Sequence, residues 1–141
     1  MKFTCRSDAT RQLIIEKAAT LFNMKGFAAT SLSDLCKVTQ LTKGSIYGNF
    51  KNKEDVAMAV FEYNLSRKTN AIKQKVHEAG NYGDKLLAFA YSFADIDHRS
   101  SIAGGCPLLN AGIEADDTNA DLRKKVAAGL LNWKNEMVRI I

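Results

Sequence analysis

The pattern of apolar and polar positions predicts an all-helical chain. Over about Thr10 to Lys25, apolar residues recur at i, i+4, i+7 and i+8, which places them on one face of a first helix. These residues are Ile14, Ala18, Leu21 and Phe22. Gly26 follows, where a left-handed residue commonly ends a helix. Residues 1–9 are expected to form a flexible arm ahead of this helix.

Two short helices are expected next. Ser31 with Asp34 three residues later has the S-x-x-D form of a helix start. The first short helix then places Leu32, Leu35 and Cys36 on one apolar face. We expect a five-residue connection, 38–42, to join it to the second.

The second short helix is unusually polar. It should open at Thr42 or Lys43, and its plainly apolar residues are Ile46 and Phe50. Burial alone explains such a helix poorly. A recognition helix has this pattern, because it needs an apolar side for its partner helix and hydrogen-bonding side chains for a DNA groove.

A long helix should follow the polar segment. Asn52 is a suitable N-cap, with Glu54 and Asp55 in the positive first turn. The helix is expected to run to about Ala79, a length of about 40 Å. Val56, Val60 and Tyr63 mark its buried side.

The rest of the chain continues the helical pattern. One predicted stripe consists of Leu86, Phe89, Ala90 and Phe93. Pro107 suits the first position of a further helix, which puts Cys106 at the N-cap after a Gly104–Gly105 turn. The final helix is expected to begin near Thr118, with Asp121 three residues later. Its stripe is Leu122, Val126, Leu130, Trp133 and Met137.

Positive charge is unevenly distributed along the chain. Residues 1–55 carry nine Lys/Arg against five Asp/Glu, whereas residues 56–141 carry eleven against ten. Nearly all of the formal net charge of +5 therefore lies in the first part, as phosphate binding would require.

The remaining composition indicates an ordinary globular protein without visible catalytic chemistry. Three cysteines without a C-x-x-C spacing predict neither a disulfide framework nor a zinc site, and they fit the reducing cytoplasm. No apolar run approaches the roughly 20 residues of a membrane helix. The two histidines lie in unrelated contexts, so we expect no catalytic site, no metal site and no cofactor.

The string LTKGSIYGNFKNKED, preceded by GFAATSLSDL, closely resembles the DNA-binding domain of TetR-family transcriptional regulators. The matches are spread over some thirty positions: Gly26, Phe27, Thr30, Leu35, Thr42, Lys43, Gly44, Tyr47, Phe50, Lys53 and Glu54. The family commonly has Gly where this chain has Gln40. A left-handed Gln40 would cost roughly 1–2 kcal/mol.

The resemblance implies a three-helix DNA-binding head with a helix-turn-helix and an all-helical ligand-binding and dimerisation body. We place the head at residues 1–51 and the body at 52–141. The body is expected to be incomplete, since family members usually continue through two further helices. The implied partners are a palindromic double-stranded DNA operator, a small-molecule inducer and a second copy of the chain.

The expected site residues come from the matched positions and from the other polar residues of the second short helix. The expected DNA contacts are Thr30, Thr42, Lys43, Gly44, Ser45, Tyr47, Asn49 and Lys53. Simple helix capping is the alternative for Thr42 and Ser45. Arg11 and Lys17 could reach phosphate, but a solvated surface role is at least as good an interpretation for each.

Ligand-binding candidates in the body are Phe89, Phe93 and Cys106. For the two aromatic residues, packing in an ordinary core is the favoured alternative. Cys106 resembles a cysteine in a subgroup that includes electrophile-responsive repressors, and a thiol at a helix N-terminus can be reactive. A small residue packed at a helix start is the preferred interpretation of Cys106.

The functional hypothesis is therefore a ligand-released transcriptional repressor. A DNA-binding fragment without ligand response and a helical protein-interaction module remain alternatives. An enzyme is the weakest, because paired carboxylates and a nucleophile–base pair are not visible.

Overall fold

The computed structural model describes residues 6–94, 102–115 and 119–141, with side chains described from Asp8 onward. Within these ranges the chain is helical and contains no strand. The helices are α1 Arg6–Lys25, α2 Leu32–Thr39, α3 Lys43–Tyr47, α4 Lys53–Glu78, α5 Tyr82–Ala94, α6 Pro107–Ala115 and α7 Ala120–Ile140. This confirms the predicted fold class. None of the described helices is both long and apolar enough to cross a bilayer.

Helix α1 confirms the predicted stripe but begins earlier than expected. Ile14, Ala18 and Phe22 are buried, and Leu21 packs partly against them. Gly26 has a φ of 87° and donates its N–H to Phe22 O at 2.9 Å, as a left-handed residue after a helix should. The prediction of a flexible arm is wrong for residues 6–9, which are helical, and residues 1–5 lie outside the described residues. Asp8 lies in the positive first turn of α1, where a carboxylate is favourable.

Helix α2 begins with the predicted capping box. Asp34 N donates to the Ser31 hydroxyl at 3.1 Å, and Ser31 N donates to Asp34 Oδ2 at 2.9 Å. The helix continues to Thr39, so the connection predicted from Val38 starts too early. The Thr39 hydroxyl donates to Leu35 O at 2.7 Å and accepts Leu41 N at 3.3 Å, which extends the helix into the turn. Gln40 then adopts a left-handed conformation, with a φ of 59°, at the position where the family commonly has Gly.

The next two helix starts also match the sequence. Thr42 caps α3 by accepting Ser45 N at 3.2 Å, and Asn52 caps α4 by accepting Asp55 N at 2.8 Å. Helix α4 has 26 residues, so it is about 39 Å long. The helix ends at Glu78 with Ala79 as its C-cap, one residue before the predicted end.

Two apolar clusters form the interior of the described residues. The first joins α1, α2, α3 and the start of α4, and the second joins the rest of α4 with α5, α6 and α7. Val56, Ala57 and Val60 belong to the first cluster, whereas Phe61 and Ile72 belong to the second. Helix α4 is therefore common to both clusters. A head–body boundary at residue 51 stays a prediction.

Helix α7 buries most of the predicted stripe, since Leu122, Val126 and Trp133 are buried. Its N-cap is Asn119, which accepts Leu122 N at 2.9 Å, so α7 begins at Ala120 rather than near Thr118, which lies outside the described residues. Leu130 and Met137 of the predicted stripe are 49% and 39% exposed. Gly129 and Ile140 are buried instead. At Gly129 helix α7 comes close to α6, because a Cβ on this residue would lie 2.8 Å from Leu108 Cδ2.

The predicted stripe of α5 is only partly interior. Phe89 is buried and Leu86 packs partly against the second cluster. Ala90 is exposed, and Phe93 is 44% exposed. The apolar pattern of α5 therefore extends onto the surface of the described chain.

Candidate nucleic-acid interface and body cavity

Helix α3 has the two-sided character expected of a recognition helix. Ile46 is fully buried, and Phe50, shortly after the helix, is also buried, so both join the first cluster. Lys43, Gly44 and Tyr47 are exposed. The apolar side thus fixes the helix on the head and leaves three of the predicted contact residues accessible.

Two other predicted contacts also stabilise α3 internally. The Thr42 hydroxyl oxygen accepts Ser45 N, and its own O–H still has the capacity to donate to a partner. Asn49 Nδ2 donates to Ser45 O at 2.9 Å. Capping is therefore observed for Thr42, as the alternative interpretation expected, and it leaves room for a contact.

Among the described residues, none needs the space that a side chain at Gly44 would fill. A Cβ built on this residue would have just one heavy-atom neighbour among the described residues within 4 Å, Thr42 Oγ1 at 3.9 Å. A glycine within a helix costs about 0.8–1 kcal/mol relative to alanine. Packing between helices does not explain the glycine at this position, whereas close approach of an external surface would.

Thr30 lies away from the exposed surface. Its side chain is fully buried, and its hydroxyl donates to Gly26 O at 2.6 Å. The hydroxyl therefore closes the α1–α2 connection. A direct contact from this side chain to a phosphate would require this bond to break.

Lys53 also binds the α1–α2 connection. Its Nζ donates to Phe27 O at 3.2 Å and to Ala28 O at 3.5 Å, and it lies 5.0 Å from the centroid of the Phe27 ring. These are weak, partly exposed contacts to neutral acceptors. A phosphate oxygen would be a stronger acceptor for the same ammonium group.

Arg11 anchors the segment directly after α3 to α1, a role that its place in the sequence did not reveal. Its Nη1 donates to Asn49 O at 2.7 Å, and the guanidinium stacks 3.9 Å from the centroid of the Phe50 ring. Asp55 lies at 4.0 Å from the same Nη1. Because the three partners are close only in the folded head, no local sequence signal could identify this contact.

The positive charge of the head is largely uncompensated at four lysines. Lys17, Lys37, Lys43 and Lys51 are exposed, and none has a side-chain ion pair or hydrogen bond with another described residue. Lys25, by contrast, donates to Asp34 Oδ2 at 2.6 Å. That bond, with those from the Ser31 N–H and hydroxyl, holds the pKa of Asp34 well below its usual value.

Helix α6 connects the body to the head through a carboxylate. Glu114 Oε2 accepts Phe27 N at 2.6 Å, and its Oε1 accepts Ala28 N. The backbone of residues 27–28 therefore has its N–H groups bound by α6 and its C=O groups bound by Lys53 of α4.

Two asparagines complete the connection. Asn23 of α1 donates to Ala103 O at 2.7 Å and to Gly105 O at 3.0 Å. Asn110 of α6 donates to Gly104 O at 2.7 Å and to Asn23 O at 3.0 Å. The Gly104–Gly105 turn has positive φ at both residues, and a Cβ on Gly104 would lie 2.8 Å from the Asn23 backbone. This segment therefore packs against the end of α1.

The body contains a cavity of about 240 Å³ between α4, α5 and α7. Phe89 lines it, as expected of a ligand-binding candidate, together with Ile72, Trp133 and Lys85. Trp133 and Ile72 were not identified from sequence, because residues some sixty positions apart meet there only after the helices pack.

The other two ligand candidates do not line this cavity. Phe93 packs edge-on against Trp133, with ring centroids 5.0 Å apart, and Cys106 packs half-buried against the second cluster directly before α6. The Cys106 position agrees with the packing interpretation. A reactive role for its thiol stays an untested hypothesis.

Two family models match the chain. One, described as "Bacterial regulatory proteins, tetR family", covers residues 14–60. The other, "Tetracyclin repressor-like, C-terminal domain", covers residues 83–141. Together they include α3, α7 and most of the elements around the surfaces described above.

Solved structures give a close match over nearly the whole chain. A TetR-family transcriptional regulator from Cytophaga hutchinsonii is 50% identical, with a TM-score of 0.93, and the match covers 99% of this chain and 70% of that one. A TetR transcriptional regulator from Chloroflexus aurantiacus is 34% identical, with a TM-score of 0.88 and coverage of 96% and 68%.

A curated relative is also a transcriptional repressor. The HTH-type transcriptional repressor NemR of Escherichia coli is 26% identical over 121 residues, which are 85% of this chain and 61% of the repressor. This chain thus spans about three-fifths of the length of that relative. With half of its aligned residues identical to a solved member and both family models matched, the chain belongs to the TetR family of transcriptional regulators.

Proposed function

We propose that this protein is a transcriptional repressor that binds an approximately palindromic DNA operator as a homodimer and is released by a small molecule in the cytoplasm. The exposed side of α3 would enter the major groove. Two copies would place their recognition helices in successive major grooves, about 34–36 Å apart along the duplex. The inducer would occupy the body cavity and act through α4 and α6.

The observation that carries the DNA-binding proposal is the combination of exposed Lys43 and Tyr47 with an unencumbered Gly44 between them. An exposed helical glycine lowers helix stability, yet no neighbour in the described structure needs the space. Close approach of a DNA surface would use that space, with a cation and a phenol hydroxyl on either side as hydrogen-bond donors.

The geometry supports the following individual roles. Lys43, Tyr47 and the O–H of Thr42 would donate to phosphate or base edges, and Ser45 and Asn49 would hold the helix in register. Lys53 would exchange its two carbonyl acceptors for a phosphate oxygen. Thr30 would contribute by keeping the α1–α2 connection closed.

Salt-dependent binding to DNA tests this proposal. Labelled fragments that tile the region upstream of the protein's own gene would be titrated by fluorescence anisotropy at several salt concentrations. We expect one fragment to bind preferentially. Lys43→Ala should weaken its binding and, if Lys43 meets a phosphate, lower the slope of log K against log salt by about one.

The matched control is Lys134→Ala, which removes the same charge from an exposed position of α7. Tyr47→Phe should weaken binding by about two- to tenfold, since it removes one hydrogen bond worth roughly 0.5–1.5 kcal/mol. Equal effects of Lys43→Ala and Lys134→Ala, or no effect of either α3 variant, would contradict the assignment of α3 as the DNA-contacting element.

A further inference from the structure

The floor of the body cavity is apolar and chemically satisfied. Ile72, Phe89, Trp133 and Ile140 are all at most 8% exposed and line the cavity. The one indole N–H among them donates to Thr69 Oγ1 at 2.9 Å. The floor therefore offers apolar contact area, and its indole N–H needs no hydrogen-bond partner from a ligand.

The polar residues around this floor carry an excess of positive charge. Lys73, Lys85 and Arg139 line the cavity with one carboxylate, that of Glu136. With His77 neutral, the lining has a formal charge of +2. The side chains of Lys73 and Arg139 are 51% and 75% exposed, so these charges lie towards solvent rather than at the floor.

Glu136 is already shared between two of these cations. It accepts Arg139 Nη1 at 3.0 Å and lies 3.6 Å from Lys73 Nζ. The described contact of Lys85 is with a ring, its Nζ lying 5.6 Å from the centroid of Tyr82. A cation–π contact with an exposed ring leaves the donors of the ammonium group available to an anion.

We propose that this cavity binds an amphipathic monoanion, a short alkyl or aryl carboxylate whose tail contacts the apolar floor and whose carboxylate binds Lys85. The inference rests on the proposed function and gives the inducer a chemical class. A cationic ligand of the same shape would meet a lining that is already positive. A neutral ligand would gain the tail contacts alone.

The size of the cavity limits the tail. Its volume of about 240 Å³ is smaller than the roughly 300–1,000 Å³ of pockets for drug-sized ligands. A chain of a few methylenes or a single ring fits this space better than a long acyl chain. Each buried methylene adds about 0.8 kcal/mol, so affinity should rise with chain length until the floor is filled.

The fluorescence of Trp133, the only tryptophan in the sequence, allows binding to be measured directly. Octanoate, 1-octanol and octylammonium share one tail and differ in charge, and each would be titrated at pH 7. We expect a saturable change in fluorescence with octanoate. Octanol should bind more weakly, and octylammonium should bind no more tightly than octanol.

Three variants locate the charge preference. Lys85→Gln should weaken octanoate binding by about two- to fivefold, the effect of an exposed ion pair worth up to about 1 kcal/mol. Glu136→Gln should strengthen it, because it removes the single carboxylate from the lining. Lys134→Gln, an exposed charge on α7 outside the lining, is the matched control and should leave octanoate binding unchanged.

The outcomes separate this inference from the proposed function. Equal affinity for octanoate and octanol, tighter binding of octylammonium, or no saturable fluorescence change with any probe would overturn the anion assignment. The operator titration in the absence of these probes would still report on DNA binding. Conversely, selective octanoate binding with no preferred DNA fragment would leave the cavity assignment in place and contradict the repressor proposal.

Discussion

At the scale of single residues, carboxylates and amides organise the head by binding backbone donors. Asp34 is the clearest case, since it accepts Lys25, the Ser31 N–H and the Ser31 hydroxyl at once. Every one of these bonds favours the ionised form. A carboxyl with a lowered pKa stabilises the folded state above its unfolded pKa, and this contribution is lost as the pH falls towards the folded value.

Asp34→Asn should therefore make the stability of the protein less dependent on pH in acid. We expect the stability of the wild-type protein to fall more steeply than that of the variant below about pH 4, the ordinary pKa of an aspartate. Urea unfolding followed by circular dichroism between neutral pH and the acid range would measure the difference. Asp121→Asn, at an exposed carboxylate of α7, is the control; a variant curve parallel to the wild-type curve would contradict the assignment.

At the scale of elements, α6 connects the body with the head by accepting hydrogen bonds from the turn that follows α1 and by donating one to the backbone of α1. Glu114 receives the N–H groups of Phe27 and Ala28. The Lys53 ammonium binds the carbonyl groups of the same residues from the opposite side. A shift of α6 would consequently move the backbone that Lys53 binds, and we propose that Lys53 contacts DNA.

Glu114→Gln should loosen this connection. The amide has one acceptor oxygen in place of two, so one of the two N–H groups would lose its partner. We expect a loss of about 1–3 kcal/mol of unfolding free energy, measured by urea denaturation. Glu62→Gln breaks an exposed pair with Lys125 and should cost at most about 1 kcal/mol. Equal losses in the two variants would show that Glu114 is an ordinary surface acid.

At the scale of the whole molecule, α4 couples the two apolar clusters. Val56 and Val60 pack into the first cluster, and Phe61 and Ile72 pack into the second, from one continuous helix. Asn64 adds a buried bond from α4 to Ala19 O in α1 at 2.9 Å. Neither cluster can lose α4 without affecting the other, so we expect a single cooperative unfolding transition.

Val60→Ala tests this coupling. Val60 is 1% exposed in the first cluster, and removing two methyl groups there should cost roughly 1–3 kcal/mol. Circular dichroism and the fluorescence of Trp133, which lies in the second cluster, should report the same lowered midpoint. A shift in circular dichroism with an unchanged Trp133 transition would mean that the clusters unfold independently.

The candidate DNA-binding surface could be predicted from the sequence because the patterns that indicate it lie within single helical turns. The caps at Ser31, Thr42 and Asn52 bind N–H groups three residues ahead, so their geometry is encoded within a single turn. The exposure of Lys43 and Tyr47 follows from the apolar register of Ile46 and Phe50.

The sequence by itself thus determined the order of the helices, the caps at Ser31, Thr42 and Asn52, and the polar face of α3. Only the tertiary structure decided the edge of the buried face of α7, where Gly129 and Ile140 are buried rather than Leu130 and Met137, because Gly129 lies close to α6. The tertiary structure also decided that Phe93 lies outside the cavity that Phe89 and Trp133 line. It placed Arg11 against the segment after α3, and Lys53 and Glu114 against the α1–α2 connection. These contacts join residues far apart in the chain, and their energies depend on distances that only packing sets.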